Sequence, residues 1–186
     1  MVGNAVQAAL GCDLLLRSAA GDTDAARGLL DEVGSVLYGF VFARVGGNAT
    51  AAEDLTQETL LEACRSAHTY RGDSSLSTWV CAIARHRLAR YYEKERHDEA
   101  ALAGLRLVAT DDEPSDLGIA EMEDRDEVIR ALGRLPVAHR QVLVLKYLDG
   151  SSVAEIAEQL GRTTVQVQSL LQRARTSLRN DLGGSP

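Results

Sequence analysis

Between Asp98 and Glu121 the chain loses the apolar repeat that runs through the residues on either side. Asp111-Asp112-Glu113-Pro114-Ser115-Asp116 has nothing to bury, and residues 97–127 carry 11 acidic side chains against 2 basic ones. A stretch of that composition stays solvated instead of joining a core. The 186 residues therefore divide into a module over 1–97, a flexible acidic linker over 98–120 and a second module over 121–186. Each module is long enough for a small core of its own.

Within the modules the apolar spacing is helical, and strand signals such as alternation, β-branched runs and Asn-Gly turns are nearly absent. Helices are predicted over residues 6–20, 22–45, 50–68 and 76–97 in the first module, and over 119–133, 136–149, 152–160 and 164–182 in the second. Asp22 or Thr23 caps the second helix, and Gly46-Gly47-Asn48 stops it. Thr50 with Glu53 reads as a capping box, as does Ser152 with Glu155, and Pro136 sits in a first helical turn. The fold class is all-α, with two helical domains joined by an acidic linker.

No run of 18 apolar residues exists, so no transmembrane helix is expected. Residues 1–20 include Asp13 and lack a basic start before an apolar stretch, which is not the pattern of a secretory signal; a cytoplasmic protein is expected. Cys12, Cys64 and Cys81 are odd in number and widely spaced, which suits neither a disulfide framework nor a zinc ribbon. No cofactor or metal is expected. Net charge is −7, yet residues 128–186 hold 8 basic and 4 acidic side chains. Of the 20 basic residues 18 are Arg, the side chain that pairs best with phosphate and guanine. The global acidity thus leaves room for a nucleic-acid-binding C-terminal module.

Residues 152–163, S-V-A-E-I-A-E-Q-L-G-R-T, read as a capped helix, a glycine turn and the start of another helix. Val153, Ile156, Leu160 and Val167 supply a shared core, and Ala157 permits a close helix crossing. This is a helix-turn-helix pattern, whose second helix suits a major groove. At about 100° per residue, Val167, Leu170, Leu171, Ala174 and Leu178 share one arc of the last helix. Val165, Ser169, Gln172 and Thr176 lie opposite, flanked by Gln166, Gln168, Arg173 and Arg179. Amides pair with adenine edges, and arginine pairs with guanine or phosphate.

In the first module, Glu53, Asp54, Gln57, Glu58 and Glu62 spread over one side of the third helix. That side is either a solvated face or a docking face for a basic partner. The fourth helix follows a polar turn, T-Y-R-G-D-S-S over residues 69–75, and buries a stripe of Leu76, Trp79, Val80, Ile83 and Ala84. Arg85 and Arg96 point away from that stripe, while Arg87 and Arg90 fall nearer to it. Basic residues with Tyr91 and Tyr92 near the turn suit single-stranded nucleic acid or, equally, a charged helix end.

Two stretches now carry a resemblance. Residues 52–63, A-E-D-L-T-Q-E-T-L-L-E-A, followed by residues 70–85, Y-R-G-D-S-S-L-S-T-W-V-C-A-I-A-R, resemble conserved region 2 of the extracytoplasmic-function (ECF, group IV) sigma factors of bacterial RNA polymerase. Residues 135–150, L-P-V-A-H-R-Q-V-L-V-L-K-Y-L-D-G, and onward through Arg175 resemble their region 4. The resemblance implies an alternative sigma factor, not an enzyme, that binds core polymerase and directs promoter-specific initiation. Asp54, Gln57 and Glu58 would dock on the clamp helices of the largest subunit. Tyr70, Ser74, Ser75, Ser77, Trp79, Arg85, His86 and Arg90 would hold the melted minus-10 strand, whose flipped base needs a pocket to offset the cost of unstacking. The second module would grip the flap of the second-largest subunit. Its Thr164, Val165, Gln166, Gln168, Ser169, Gln172 and Arg173 would read the duplex minus-35 element. The acidic linker would thread the active-site cleft and RNA exit channel. An anti-sigma factor is a possible further partner, and membrane insertion is not expected.

The chain departs from the family's common pattern at His86, where Asn is usual, and at Ala26, near which Phe is usual. Gln168-Ser169-Leu170 stands where Lys-Ser-Arg is common, and the loss of two positive charges is expected to weaken phosphate anchoring. Two rival readings compete. One is a stand-alone helix-turn-helix regulator acting without polymerase. The other is an all-α metal-dependent hydrolase using Glu53, Asp54, Glu58 and Glu62, for which no second carboxylate cluster stands opposite.

Overall fold

A computed structural model of the chain describes residues 2–103 and 125–183. Eight α-helices order them: α1 (Val2–Ala19), α2 (Thr23–Arg44), α3 (Ala49–Arg65), α4 (Leu76–Ala103), α5 (Arg125–Arg134), α6 (Val137–Leu143), α7 (Val153–Leu160) and α8 (Thr164–Gly183). A 3₁₀ turn, Ala67–Thr69, follows α3, and a π-helical turn, Val144–Leu148, extends α6. No strand occurs among the described residues, as expected of the all-α class. The helices form two compact units, Met1–Arg90 and Tyr91–Pro186. The expected linker over 98–120 lies mostly outside the described residues. Its first part, 98–103, continues α4 past the expected end at His97, because Glu-Ala-Ala-Leu-Ala over 99–103 are strong helix formers. The expected helix start near Ile119 also lies outside them.

In the first unit, Asp22 caps α2 by accepting the backbone N–H groups of Asp24 and Ala25. The cap of α3 is Asn48, which accepts from Ala51 N–H at 3.1 Å, and not Thr50 with Glu53. Asn48 follows two left-handed glycines, Gly46 and Gly47, so the chain has already turned before Thr50 is reached. Leu15, Leu29, Val33, Leu37, Val41 and Val45 from α1, α2 and its end meet Ala52, Ala63, Leu76, Val80 and Ala84 in one core. Of the stripe expected on α4, Leu76, Val80 and Ala84 are buried, whereas Trp79 and Ile83 are half-buried at its edge.

The second unit takes in the end of α4 and helices α5–α8. Pro136 proves to be the N-cap of α6 and not a residue of its first turn, with ψ of 143° in the extended range. Its neighbour's free N–H, Val137, is taken by the Glu99 carboxylate at 3.3–3.4 Å. Arg140, 5% exposed, pairs with Glu95 at 2.7 Å. Tyr91 lies beside that pair; burial, and then the Glu95 charge, push its hydroxyl up to about 12. Val142, Ile156, Val167 and Ala174 are fully buried at the centre, with Leu143, Ala157, Leu170 and Leu171 around them. At about 1.5–3 kcal/mol per buried large aliphatic side chain, this apolar wall is what fixes α7 against α8.

Candidate nucleic-acid interface

The helix-turn-helix is built locally, by caps at both helix starts. Ser152 accepts Glu155 N–H at 3.2 Å while the Glu155 carboxylate accepts Ser152 N–H at 2.7 Å, the expected capping box. The Ser152 N–H, and then the Ser152 hydroxyl, hold the Glu155 carboxyl below its ordinary value. Gly161, at φ of +60°, ends α7 in the left-handed conformation that glycine adopts without strain. A second box then opens α8. Gln166 N–H donates to Thr163 Oγ1 at 3.2 Å, and Thr163 N–H donates to Gln166 Oε1 at 2.9 Å. The sequence pattern leaves the cap between Thr163 and Thr164 and does not show this use of Gln166, whose carbonyl is committed to the backbone.

The rest of the turn is held by α6 and its π-helical extension. Lys146 Nζ donates to Ser151 O at 3.2 Å, and Arg175 Nε donates to Tyr147 Oη at 2.7 Å. Arg175 is therefore engaged inside the second unit, a pairing across 28 residues that helical spacing cannot reveal. His139, on α6, meets Ser177 Oγ at 3.2 Å, and burial followed by the nearby Arg173 charge lowers its basicity. What α8 leaves facing solvent is Thr164, Val165, Gln166, Gln168, Ser169 and Arg173, with Gln172 half-buried. Leu170 is 5% exposed and packs in the core. Leu170 belongs to the buried cluster that holds Ile156 and Val167, so of the two departures from the common pattern only Gln168 stands at an exposed position.

In the first unit, the turn before α4 is braced from beneath. Tyr70 is 6% exposed, tilts against Trp79 with ring centroids 5.2 Å apart, and donates its hydroxyl to Ser74 O at 2.9 Å. It is a wall of the loop and not an exposed surface. Its other side is Gly11 of α1, where a Cβ would stand 3.5 Å from the Tyr70 ring and 3.4 Å from Leu76. A Cβ at Gly11 would already stand in van der Waals contact with both, a closeness that the sequence of α1 alone does not show. Ser75 opens α4: its Oγ accepts Thr78 N–H at 3.2 Å and lies 3.1 Å from Ser77 Oγ. Trp79 and Ser77 are half-buried beside it.

Farther along α4, Arg85, His86 and Arg90 are exposed. The Arg85 guanidinium lies 5.3 Å from the Phe40 ring, and that of Arg44, which is buried, lies 3.4 Å from the same ring. Phe40 on α2 thus gathers two cations, Arg44 from one turn along its own helix and Arg85 from α4, and only the second is hidden from local spacing. Arg87 turns the other way, to α3. Its Nη1 meets Glu58 Oε2 and its Nη2 meets Glu62 Oε2, both at 3.0 Å. Asp54 and Gln57 on the same helix are exposed. Glu58 and Glu62, which a metal site would have needed as ligands, converge on a guanidinium instead.

The described residues thus hold a doubly capped helix-turn-helix in one unit and, in the other, an aromatic-walled hydroxyl loop followed by exposed arginines. Comparison with known families specifies it. The profile described as Sigma-70 region 2 matches residues 29–97, and that described as Sigma-70, region 4 matches residues 125–178. The ECF sigma factor SigL of Mycobacterium tuberculosis is 34% identical over 173 residues, covering 87% of this chain and 91% of that protein. BldN of Streptomyces coelicolor is 34% identical over 170 residues, covering 89% of this chain. The chain spans 63% of the length of BldN, but 81% of SigX and 91% of SigW of Bacillus subtilis, each 29% identical. Among solved structures, the sigma factor RpoE of Bartonella quintana, in complex with the anti-sigma factor NepR, is 23% identical with a TM-score of 0.47, covering 88% of this chain and 99% of that one. The chain belongs to the ECF RNA polymerase sigma factors. It is a transcription initiation factor, and the stand-alone regulator reading gives way to that one. Among the described residues no helix is long and apolar enough to cross a membrane.

Proposed function

We propose that this sigma factor divides its work between an N-terminal and a C-terminal module, with residues 1–97 docking polymerase and opening the minus-10 element, 121–186 reading minus-35, and 98–120 joining them. The exposed Asp54, Gln57 and Glu58 on α3 dock on the clamp helices of the largest subunit. Ser74, Ser75, Ser77 and Trp79, backed by the Tyr70 wall, line the pocket for a flipped non-template base. Arg85, His86 and Arg90 follow the strand's phosphates. Thr164, Val165, Gln166, Gln168, Ser169, Gln172 and Arg173 enter the minus-35 major groove, where Val165, 71% exposed, suits a thymine methyl group. The second unit also grips the flap of the second-largest subunit, and the acidic linker occupies the cleft and exit channel. The protein works in the cytoplasm on the nucleoid, and an anti-sigma factor that covers these faces is a fitting regulator. No reacting group of its own is involved.

One observation carries this reading. Amide, hydroxyl and guanidinium groups are left in solvent on α8, behind a doubly capped turn, in the same chain as an aromatic-walled loop followed by arginines. Run-off transcription from a fragmented genomic library tests it, with purified core polymerase alone and with the chain added. New discrete start sites that need both components are expected, with shared minus-10 and minus-35 sequences upstream. Duplex binding without such start sites would sink the proposal.

A further inference from the structure

We propose that Arg87 is a further strand-binding residue, held off the DNA by Glu58 and Glu62 until a partner's basic group engages Glu58. The inference rests on the reading above, in which α3 docks polymerase and α4 follows the opened strand. The two guanidinium nitrogens of Arg87 each meet a different carboxylate of α3, at 3.0 Å. The fork spans one helical turn of α3. It neutralises a charge that stands three residues from exposed Arg90, the spacing of neighbours on a helix surface. It also places the acidic docking face and the basic strand face on opposite ends of the same two ion pairs.

The exposures say which end gives way. The Arg87 side chain is 21% exposed, against 55% for Glu58 and 41% for Glu62. Glu58 is the more open partner, so a docking cation reaches it without displacing anything except Arg87's Nη1. Once that tooth is lost, Arg87 keeps a single pairing with Glu62 and solvent on its free side. A neighbouring phosphate then competes on nearly equal terms, because exposed ion pairs are weak. While the fork is closed, the same phosphate meets two carboxylates and no net positive charge. Docking and strand binding thereby favour each other, and the coupling is reciprocal, as linkage requires. The free factor holds one strand contact in reserve.

The test is a double-mutant cycle on the full chain, read by fluorescence anisotropy of a labelled single-stranded DNA 20-mer of mixed sequence across a salt series. The four proteins are the wild type, Arg87→Gln, Glu58→Gln/Glu62→Gln, and the triple variant. Opening the fork is expected to make Arg87→Gln about 3- to 10-fold more costly to strand affinity than it is in the wild type. It should also steepen the dependence of log K on log salt by about 0.7, the value for one added phosphate contact on a single strand. Equal costs of Arg87→Gln in the two backgrounds would overturn the proposal, since any gain would then come only from deleting two negative charges. If Arg87→Gln lowers helicity, Arg87→Lys in the carboxylate-free background takes its place. It should retain the tightened binding, and loss of that binding would count against a charge-borne contact. Arg85→Gln and Arg90→Gln separate the two levels of inference. If neither weakens strand binding, the reading of α4 as the strand face fails; if both do while the cycle shows no coupling, only the exchange at Arg87 fails.

Discussion

Gln166 has two roles that a single pair of substitutions can pull apart. Its carbonyl accepts Thr163 N–H at 2.9 Å and so closes the box at the start of α8. Its NH₂ projects from the face assigned to minus-35. Gln166→Ala deletes the acceptor. An exposed hydrogen bond of this kind is worth about 0.5–1.5 kcal/mol, and alanine returns a few tenths through its higher helix propensity. The net loss of about 0.5–1 kcal/mol corresponds to a fall of roughly 2–8 °C in the melting of a module of about 60 residues. Gln166→Glu keeps the acceptor and adds a negative charge at a helix N-terminus, which is favourable by about 0.3–1 kcal/mol. Its melting temperature should match or exceed that of the wild type. Toward DNA the order reverses. Glutamate loses the donors and faces phosphate with like charge, so binding to a promoter duplex should fall about tenfold or more, some 1.4 kcal/mol. Alanine, which adds no repulsion, should fall less. Circular dichroism at 222 nm and duplex anisotropy on the same three proteins read both scales. Equal melting losses for alanine and glutamate would refute the capping role. Unchanged duplex affinity for glutamate would remove position 166 from the groove.

Three further outcomes follow from the geometry. Leu170→Arg, which makes the position resemble the common family pattern, should destabilise the second unit by about 3 kcal/mol or more and not strengthen duplex binding, because a 5% exposed site offers a charge no partner; a rise in duplex affinity with unchanged melting would contradict the burial. Tyr70→Phe keeps the ring against Trp79 but frees Ser74 O, so permanganate reactivity of minus-10 thymines should drop while co-purification with core polymerase stays intact. The lowered pKa of Glu155 means that the folded state favours its carboxylate: the resulting stability is present above the ordinary value of 4.5 and is lost as pH falls through the folded value, so Glu155→Gln should flatten that acid limb of the second unit's melting curve, an effect that added salt weakens.

What could be read from the chain and what could not divide along a physical line. Ser152 and Glu155 are one turn apart, and so are Thr163 and Gln166; the partners of such pairs are set by helix geometry once the helix exists, and the Ser152 box is visible as spacing. The apolar arcs of α4 and α8 are legible for the same reason, down to Val167, Leu171 and Ala174 in the core. Thr50 with Glu53 satisfied the same spacing and lost to Asn48, because the left-handed pair Gly46-Gly47 turns the chain one step earlier. Arg87 on Glu58 spans 29 residues, Arg175 on Tyr147 spans 28, and Gly11 meets Tyr70 across two intervening helices. Periodicity within one helix assigns a face, but the identity of what covers that face is a property of packing. The angle that put Arg87 near the buried stripe of α4 was correct, but Arg90, placed near it too, is exposed and Arg96, expected to point away, is half-buried; helical spacing could not say that the stripe's border would be closed by two carboxylates of α3. A surface read from one helix therefore misjudges residues at the edge of its apolar arc, as at Arg87, and a polar turn read by composition misjudges a ring such as Tyr70, whose hydroxyl chemistry pointed to DNA while packing made it a wall.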